Sequence, residues 1–138
     1  MKRLPVLALS LALGFTATAC SDSTGPGDSL SGTYSLQSIN GAPLPVVVEN
    51  SSQLYSEVIL AQIVLNAEGS YSSLTRYRDT YPQQQPILVD ERFTGFWTLS
   101  GNQITLTETG FPNDPTYGTI SNNRITISDF GFTLVYVR

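Results

Sequence analysis

Two related stretches, TLSGNQITLT at residues 98–107 and TISNNRITIS at residues 119–128, decide the fold class. In each stretch, apolar and polar residues alternate on both sides of a central Gly-Asn or Asn-Asn pair. Alternation with a period of two is typical of a β-strand with one buried face. Gly and Asn tolerate the positive φ angles that tight hairpin turns require. We therefore predict antiparallel hairpins that turn at Gly101-Asn102 and at Asn122-Asn123.

The same alternation continues through the rest of the chain from about residue 31. It predicts a hairpin through residues 66–69 and another at Asp129-Phe130-Gly131. The predicted strands cover residues 32–39, 46–48, 58–65, 70–79, 87–99, 103–108, 117–121, 124–128 and 132–137. Without a covering helix, such strands bury their apolar faces by closing into a barrel or by folding into a sandwich. Sequential pairing favours an all-β, single antiparallel up-and-down meander that closes into a barrel of about eight strands.

Two segments of this pattern allow more than one interpretation. In residues 52–65, Leu54, Val58, Ala61 and Leu65 have helical spacing, but β-branched residues and a following turn favour a strand. We predict a strand from Val58, and a short helical turn at residues 51–56 is an alternative for the segment before it. In the long strand at residues 87–99, Gly95 predicts a bulge or a sharp bend.

The N-terminal segment predicts export from the cytoplasm. A short basic start precedes an apolar run at residues 4–15, the length of a signal-peptide core. Residues 17–20, Ala-Thr-Ala-Cys, resemble a bacterial lipobox, which implies that Cys20 is lipidated and becomes the first residue of the mature protein. The alternative is ordinary cleavage after Ala19, which leaves Cys20 unmodified. Lipidation accounts for the single cysteine of the chain.

These features divide the chain into three parts. Residues 1–19 are the predicted lipoprotein signal peptide, and residues 20–29 lack large apolar side chains, as is typical of a flexible tether. Residues 30–138 form the predicted folded domain. We expect a lipid-anchored protein of the bacterial cell envelope, and Ser21 after the cysteine resembles the signal for sorting to the outer membrane, facing the periplasm.

The composition argues against several classes of function. The chain has 7 Lys and Arg against 11 Asp and Glu, and both Lys2 and Arg3 belong to the predicted signal peptide. Since phosphate backbones are bound by cations, nucleic acid is a poor partner. The chain has no His, which removes the usual general base and the commonest metal ligand. We predict neither enzymatic activity nor a metal or other cofactor.

Three segments resemble lipocalin-like domains of bacterial lipoproteins. LSGTYSLQSINGAPLP at residues 30–45 is similar to their opening, with Gly32-Thr33-Tyr34 in place of a Gly-x-Trp motif. LNAEGSY at residues 65–71 and FWTLSGNQITLT at residues 96–107 resemble their hairpins. The resemblance implies a lipocalin-like barrel with an internal ligand site. It also implies an arginine over the first-strand aromatic ring, for which Arg138 above Tyr34 is the candidate.

Five aromatic residues are candidates for the lining of a ligand cavity, although such a set more often forms a filled core: Tyr34, Phe93, Trp97, Phe132 and Tyr136. The expected function is non-covalent binding of a small apolar or amphipathic molecule. The alternative is a filled barrel that acts as a structural or protein-interaction module at the outer membrane, through loops at residues 82–86 or 111–115.

A strand with two arginines offers a further candidate site. Tyr71, Arg76, Tyr77 and Arg78 cluster on the predicted strand at residues 70–79. They would either receive an anionic group at a barrel mouth or form a solvated strand face. Asp90 and Glu91 are adjacent, so strand alternation sends them to opposite faces and they do not form a paired-carboxylate site.

Overall fold

The computed structural model describes residues 29–138, so the predicted signal peptide, Cys20 and the tether up to residue 28 lie outside the described residues. The strands are β1 (Gly32–Ile39), β2 (Ala42–Pro43), β3 (Val46–Asn50), β4 (Tyr55–Leu65), β5 (Ser70–Thr80), β6 (Ile87–Ser100), β7 (Gln103–Glu108), β8 (Thr116–Ser121), β9 (Arg124–Asp129) and β10 (Phe132–Val137). Within residues 29–138 there is no helix with the length and apolar character needed to cross a membrane.

Eight of these strands form a closed antiparallel barrel. From β4 to β10 each strand pairs with the next, and β1 closes the barrel by pairing with both β10 and β4. The two remaining strands are additions to the wall, since β2 pairs with β1 and β3 pairs with β4. The prediction of an all-β, up-and-down meander closed into a lipocalin-like barrel is confirmed.

The hairpin turns of the two opening stretches differ in backbone conformation. At the β8–β9 turn, Asn122 and Asn123 have φ angles of 49° and 63°, the pattern of a type I′ turn. At the β6–β7 turn only Gly101 has a positive φ, 62°, which is the pattern of a type II′ turn. Both hairpins are confirmed, but the expectation of a positive φ at Asn102 is wrong.

Two bulges change the direction in which side chains point. In β1 the register with β10 shifts between Leu36 and Ser38, and in β4 the register with β5 shifts between Val58 and Leu60. Ala61 and Val58 both face the interior although they are three residues apart. Because a bulge adds one residue to one strand, the alternation continues on the other side with its phase reversed.

The segment at residues 51–56 leads into β4 through a local turn. The strand begins at Tyr55, and the structure has no helical turn at residues 51–56. The Ser51 hydroxyl instead accepts a hydrogen bond from the backbone N–H of Leu54, at 3.2 Å. This local turn satisfies the backbone without a helix.

Gly95 forms no bulge, because its pairing with β5 and with β7 is continuous. Because Gly95 has no side chain, the backbone of β7 at Thr107 and the ring of Tyr71 can approach it closely. A Cβ atom at this position would lie 2.0 Å from the carbonyl oxygen of Thr107 and 2.8 Å from a ring carbon of Tyr71. The predicted bulge is therefore wrong, and the close approach of neighbouring atoms is the reason for a glycine here.

The packed part of the core lies at one end of the barrel. The largest fully buried side chains, Tyr34, Leu65, Ile104 and Ile125, come from four different strands. The indole N–H of Trp97 donates a hydrogen bond to the carbonyl of Asn66, at 2.9 Å. We call this end, which also holds the β4–β5, β6–β7 and β8–β9 turns, the closed end.

Arg138 covers the closed end from outside. Its guanidinium carbon lies 5.7 Å from the centre of the Tyr34 ring, so the cation–π contact predicted from the resemblance is confirmed. The same guanidinium donates hydrogen bonds to the carbonyls of Ser29 and Ser31 and to the side-chain oxygen of Asn123. It therefore joins the first described residues to the β8–β9 turn.

Candidate ligand-binding site

The opposite end of the barrel contains two adjoining cavities, of about 620 and 250 Å³. This open end is surrounded by the β5–β6, β7–β8 and β9–β10 connections. The cavities share six lining residues: Thr75, Tyr77, Asp129, Phe130, Leu134 and Tyr136. A combined space of this size is typical of a pocket for a small molecule, and small eight-stranded barrels are known to hold one.

The larger cavity has an aromatic and acidic lining. Its aromatic residues include Tyr71, Tyr77, Phe93, Phe111, Phe130 and Tyr136. Its carboxylates are Glu91, Glu108, Asp114 and Asp129. Glu91, Glu108 and Asp129 have the same strand phase as Phe93, Leu106 and Ile127, respectively, and so lie on the inward-facing side of their strands. Glu91, Asp114 and Asp129 are exposed at the mouth, and Glu108 is partly buried.

The smaller cavity is mainly apolar and lies where β1 and β4 separate. Its own lining comprises Leu36, Ile39, Val48, Val58, Ala61 and Phe132. Beyond the paired segment at residues 32–35 and 62–65, β1 and β4 no longer pair with each other. The two bulges lie at this point of separation, and they return Ile39 and Val58 to the interior.

The structure divides the predicted site residues into two groups. Phe93 lines the larger cavity, Phe132 lines the smaller one, and Tyr136 lines both. Tyr34 and Trp97 belong to the packed closed end and line neither of these two cavities. Their replacement would disturb the core rather than the open space.

Sequence reasoning placed neither the carboxylates nor Tyr71 and Tyr77 in the cavity lining. One sequence pattern does indicate such cavity-lining residues. It is a charged or tyrosine side chain that lies in phase with the apolar face of a strand and close to the end of that strand. Glu108 and Asp129 follow this rule, because each is the last residue of its strand. Which strand ends surround the cavity depends on which barrel end is packed, and that was not evident from the sequence.

The arginines of β5 do not face the mouth. Arg76 and Arg78 point outward and form ion pairs with Asp90, at 2.6 Å, and with Glu57, at 2.5 Å. Tyr71 and Tyr77 point into the barrel. The interpretation of this cluster as a receptor for an anionic group at the mouth is wrong, because strand alternation separates the tyrosines from the arginines.

The internal tyrosines are held in the neutral form. Burial raises the pKa of Tyr136 to about 12. Burial, and then the nearby carboxylate of Glu91, raise the pKa of Tyr77 to about 12. The pKa of Tyr71 is raised by burial and by Glu108. Around neutral pH all three hydroxyls therefore keep their protons. The Tyr77 hydroxyl is hydrogen-bonded to Glu91, whereas those of Tyr71 and Tyr136 can donate or accept a hydrogen bond.

The described part of the chain offers no evident metal site, since no three or more of its His, Cys, Asp and Glu side chains are grouped so that they could hold a metal ion. None of the family models, curated proteins or solved structures compared with this chain matches it.

Proposed function

We propose that this protein binds a small apolar or amphipathic molecule non-covalently inside its barrel, as a lipid-anchored protein of the bacterial cell envelope. The observation that carries the proposal is the pair of adjoining cavities at the open end. A barrel whose only role is structural is more stable with a filled interior, because atoms that line an empty space lose van der Waals contacts. Here the closed end is packed and the open end is not.

Phe130 at the rim supports the same proposal. It is 91% exposed and has a φ of 46°, a left-handed conformation that bulky residues rarely adopt. Both features cost free energy, and neither contributes to the core. Strained residues of this kind concentrate at binding and switch sites. Since Phe130 lines both cavities, contact with a bound molecule is the role that fits its position.

The lipid anchor is proposed from the N-terminal sequence alone. Cys20 and the small residues before it resemble a lipobox, and the following residues are typical of a tether. Metabolic labelling with a radioactive fatty acid tests this part separately. Label should enter the protein, and Cys20→Ser should abolish it.

Binding can be tested with the neutral apolar fluorescent probe N-phenyl-1-naphthylamine. We expect saturable, one-to-one fluorescence enhancement with the purified protein. Ser73→Trp, which places a large side chain into the cavity, should abolish the enhancement. The matched control is Ser72→Trp, on the outward face of the same strand, which should keep it. Circular dichroism verifies that both variants are folded.

No saturable enhancement, or equal loss in both tryptophan variants, would contradict the proposal. Where the probe binds as expected, native mass spectrometry of the protein after exposure to an envelope extract identifies the natural ligand class. An added mass present in Ser72→Trp and absent in Ser73→Trp is the expected result.

The second candidate function is a protein-interaction module. The exposed side chains of Phe111, 61% accessible, and Phe130 at the mouth favour it, because aromatic residues are enriched at interfaces. On this alternative, Phe111→Ser would weaken capture of a protein partner, while Ser73→Trp would leave that capture unchanged.

A further inference from the structure

The charges of the barrel are segregated between its outer wall and closed end on one side and the lining of its open end on the other. In residues 29–138, Arg76, Arg78 and Arg92 lie on the outer wall, each paired with a carboxylate. The other two described arginines, Arg124 and Arg138, lie at the closed end, by the β8–β9 turn. No arginine lines either of the two cavities.

The carboxylates that line the larger cavity have no cationic partner within the described residues. Glu91, Glu108, Asp114 and Asp129 form no ion pair there, whereas Glu57 and Asp90 on the outer wall do. Four like charges around one opening repel each other. A concave surface lined by one sign of charge also concentrates the electric field and attracts ions of the opposite sign.

Two buried hydroxyls provide an independent sign of a ligand. Tyr71 and Tyr136 are 7% and 6% exposed and line the larger cavity. Neither hydroxyl forms a hydrogen bond with any residue in 29–138. In this part of the chain, every side-chain nitrogen or oxygen that is fully inaccessible has a hydrogen-bond partner, so these two unpartnered hydroxyl oxygens must be accessible. The two hydroxyls therefore open into the cavity, where they can accept a hydrogen bond from its contents.

The aromatic lining completes a recognisable chemistry. The faces of tyrosine and phenylalanine rings attract cations, and aromatic cages of this type bind ammonium groups. The rings of Tyr71, Tyr77 and Tyr136 line the same cavity as the carboxylates. Beyond them, the smaller cavity offers apolar side chains such as Leu36, Ile39 and Val58.

We infer that the ligand of the barrel is an amphipathic organic cation, a protonated amine or quaternary ammonium group attached to an apolar body. This inference rests on the proposed function. The cationic group lies among the carboxylates and tyrosines of the larger cavity, and the apolar body extends into the smaller cavity. An anionic amphiphile of the same size would place its charge beside four carboxylates with no cation to pair with.

The test is isothermal titration calorimetry with three probes that share an octyl chain: octyltrimethylammonium, octanol and octanoate. At neutral pH and low salt, we expect octyltrimethylammonium to bind at least about tenfold more tightly than either other probe, because unpaired carboxylates attract it. Glu91→Gln and Glu108→Gln should each reduce this preference about three- to tenfold.

The matched control is Glu57→Gln, which makes the same chemical change on the outer wall, where Glu57 is paired with Arg78. It should leave the preference for the cationic probe unchanged.

The outcomes separate this inference from the proposed function. If octanol or octanoate binds as tightly as the cation, the barrel binds ligands but the inference on charge is overturned. If none of the three probes binds and N-phenyl-1-naphthylamine does not bind either, both are overturned. An equal effect of Glu57→Gln and Glu91→Gln would show a general effect of net charge and would also overturn the assignment to this cavity.

Discussion

At the closed end of the barrel, the guanidinium of Arg138 makes a cation–π contact with Tyr34 and three hydrogen bonds with three other residues. Two of these bonds go to the backbone carbonyls of Ser29 and Ser31, ahead of β1. Hydrogen bonds to a charged group are stronger than neutral ones, so this single side chain fixes the entry of the chain into the barrel.

We predict that Arg138→Ala destabilises the protein by about 2 kcal/mol, from the loss of charge-assisted hydrogen bonds and of the cation–π contact. The control is Arg124→Ala at the same end, whose side chain makes no hydrogen bond with the described residues. Urea unfolding followed by tryptophan fluorescence measures both. Equal effects of the two substitutions would show that charge alone, and not the contacts of Arg138, stabilises the closed end.

Tyr136 makes the stability of the protein depend on pH in the alkaline range. Because burial raises its pKa to about 12, the fold favours the neutral hydroxyl. The contribution of the neutral Tyr136 hydroxyl to the free energy of unfolding is complete below pH 10, the ordinary pKa of tyrosine. It is lost as the pH rises toward about 12.

We therefore expect the free energy of unfolding of the wild type, relative to Tyr136→Phe, to fall by about 2–3 kcal/mol between pH 9 and pH 12. At pH 9 the two proteins should differ little, because the Tyr136 hydroxyl has no hydrogen-bond partner in the described chain. Urea titrations at a series of pH values provide the measurement. A difference that stays constant with pH would disprove the assigned environment of Tyr136.

Among the structural elements, the β9–β10 hairpin is the one whose turn residue conflicts most with its conformation. Phe130 and Gly131 have φ angles of 46° and 83°, the pattern of a type I′ turn. Asn-Gly is the preferred pair for such a turn, and a bulky aromatic residue is strained there. The hairpin thus carries a residue that weakens it.

Phe130→Asn should increase the free energy of unfolding by about 1 kcal/mol, because Asn tolerates the left-handed conformation. The same substitution should weaken the binding of N-phenyl-1-naphthylamine, since it removes an aromatic ring from the rim of both cavities. Thermal unfolding and the fluorescence titration report the two effects. A gain in stability without any loss of binding would exclude a ligand contact at Phe130.

The strands themselves were largely predictable, because alternation and hairpin turns are local properties of the sequence. The bulge in β4 was not. It places Val58, Ala61 and Leu65 on one face at intervals of three and four residues, and this spacing is the same as that of one face of a helix. The β-branched residues favour a strand, but only the pairing of β4 with β5, which is not a local property, locates the bulge.

At the scale of the whole molecule, the barrel is packed at one end and open at the other. Its closure was predictable from sequential hairpins, but the position of the cavity was not. Both ends carry apolar and aromatic residues in the same phase, for example Trp97 and Phe93 on β6. Their different environments arise from the close packing of Tyr34, Leu65, Ile104 and Ile125 at the closed end.

This asymmetry predicts that truncations will have unequal costs at the two ends. Ile125→Ala, at a fully buried position, should cost about 3–4 kcal/mol, as is usual for a cavity made in a packed core. Leu134→Ala should cost no more than about 1.5 kcal/mol, because Leu134 already faces open space. Urea unfolding of the two variants compares them directly. Similar costs would mean that the open end is packed in solution.

The contacts of Arg138 with residues 29 and 31 also determine how the molecule would stand on a surface. The chain enters the barrel at the closed end, and an anchor at Cys20 would be separated from Ser29 by at most about 30 Å of extended chain. The anchor would therefore hold the closed end toward the bilayer. In that orientation Arg124 and Arg138 would face the bilayer, and the carboxylates that line the larger cavity would face away from it. The mouth would face away from the membrane, and its ligand would exchange with the aqueous phase rather than with the anchoring lipid.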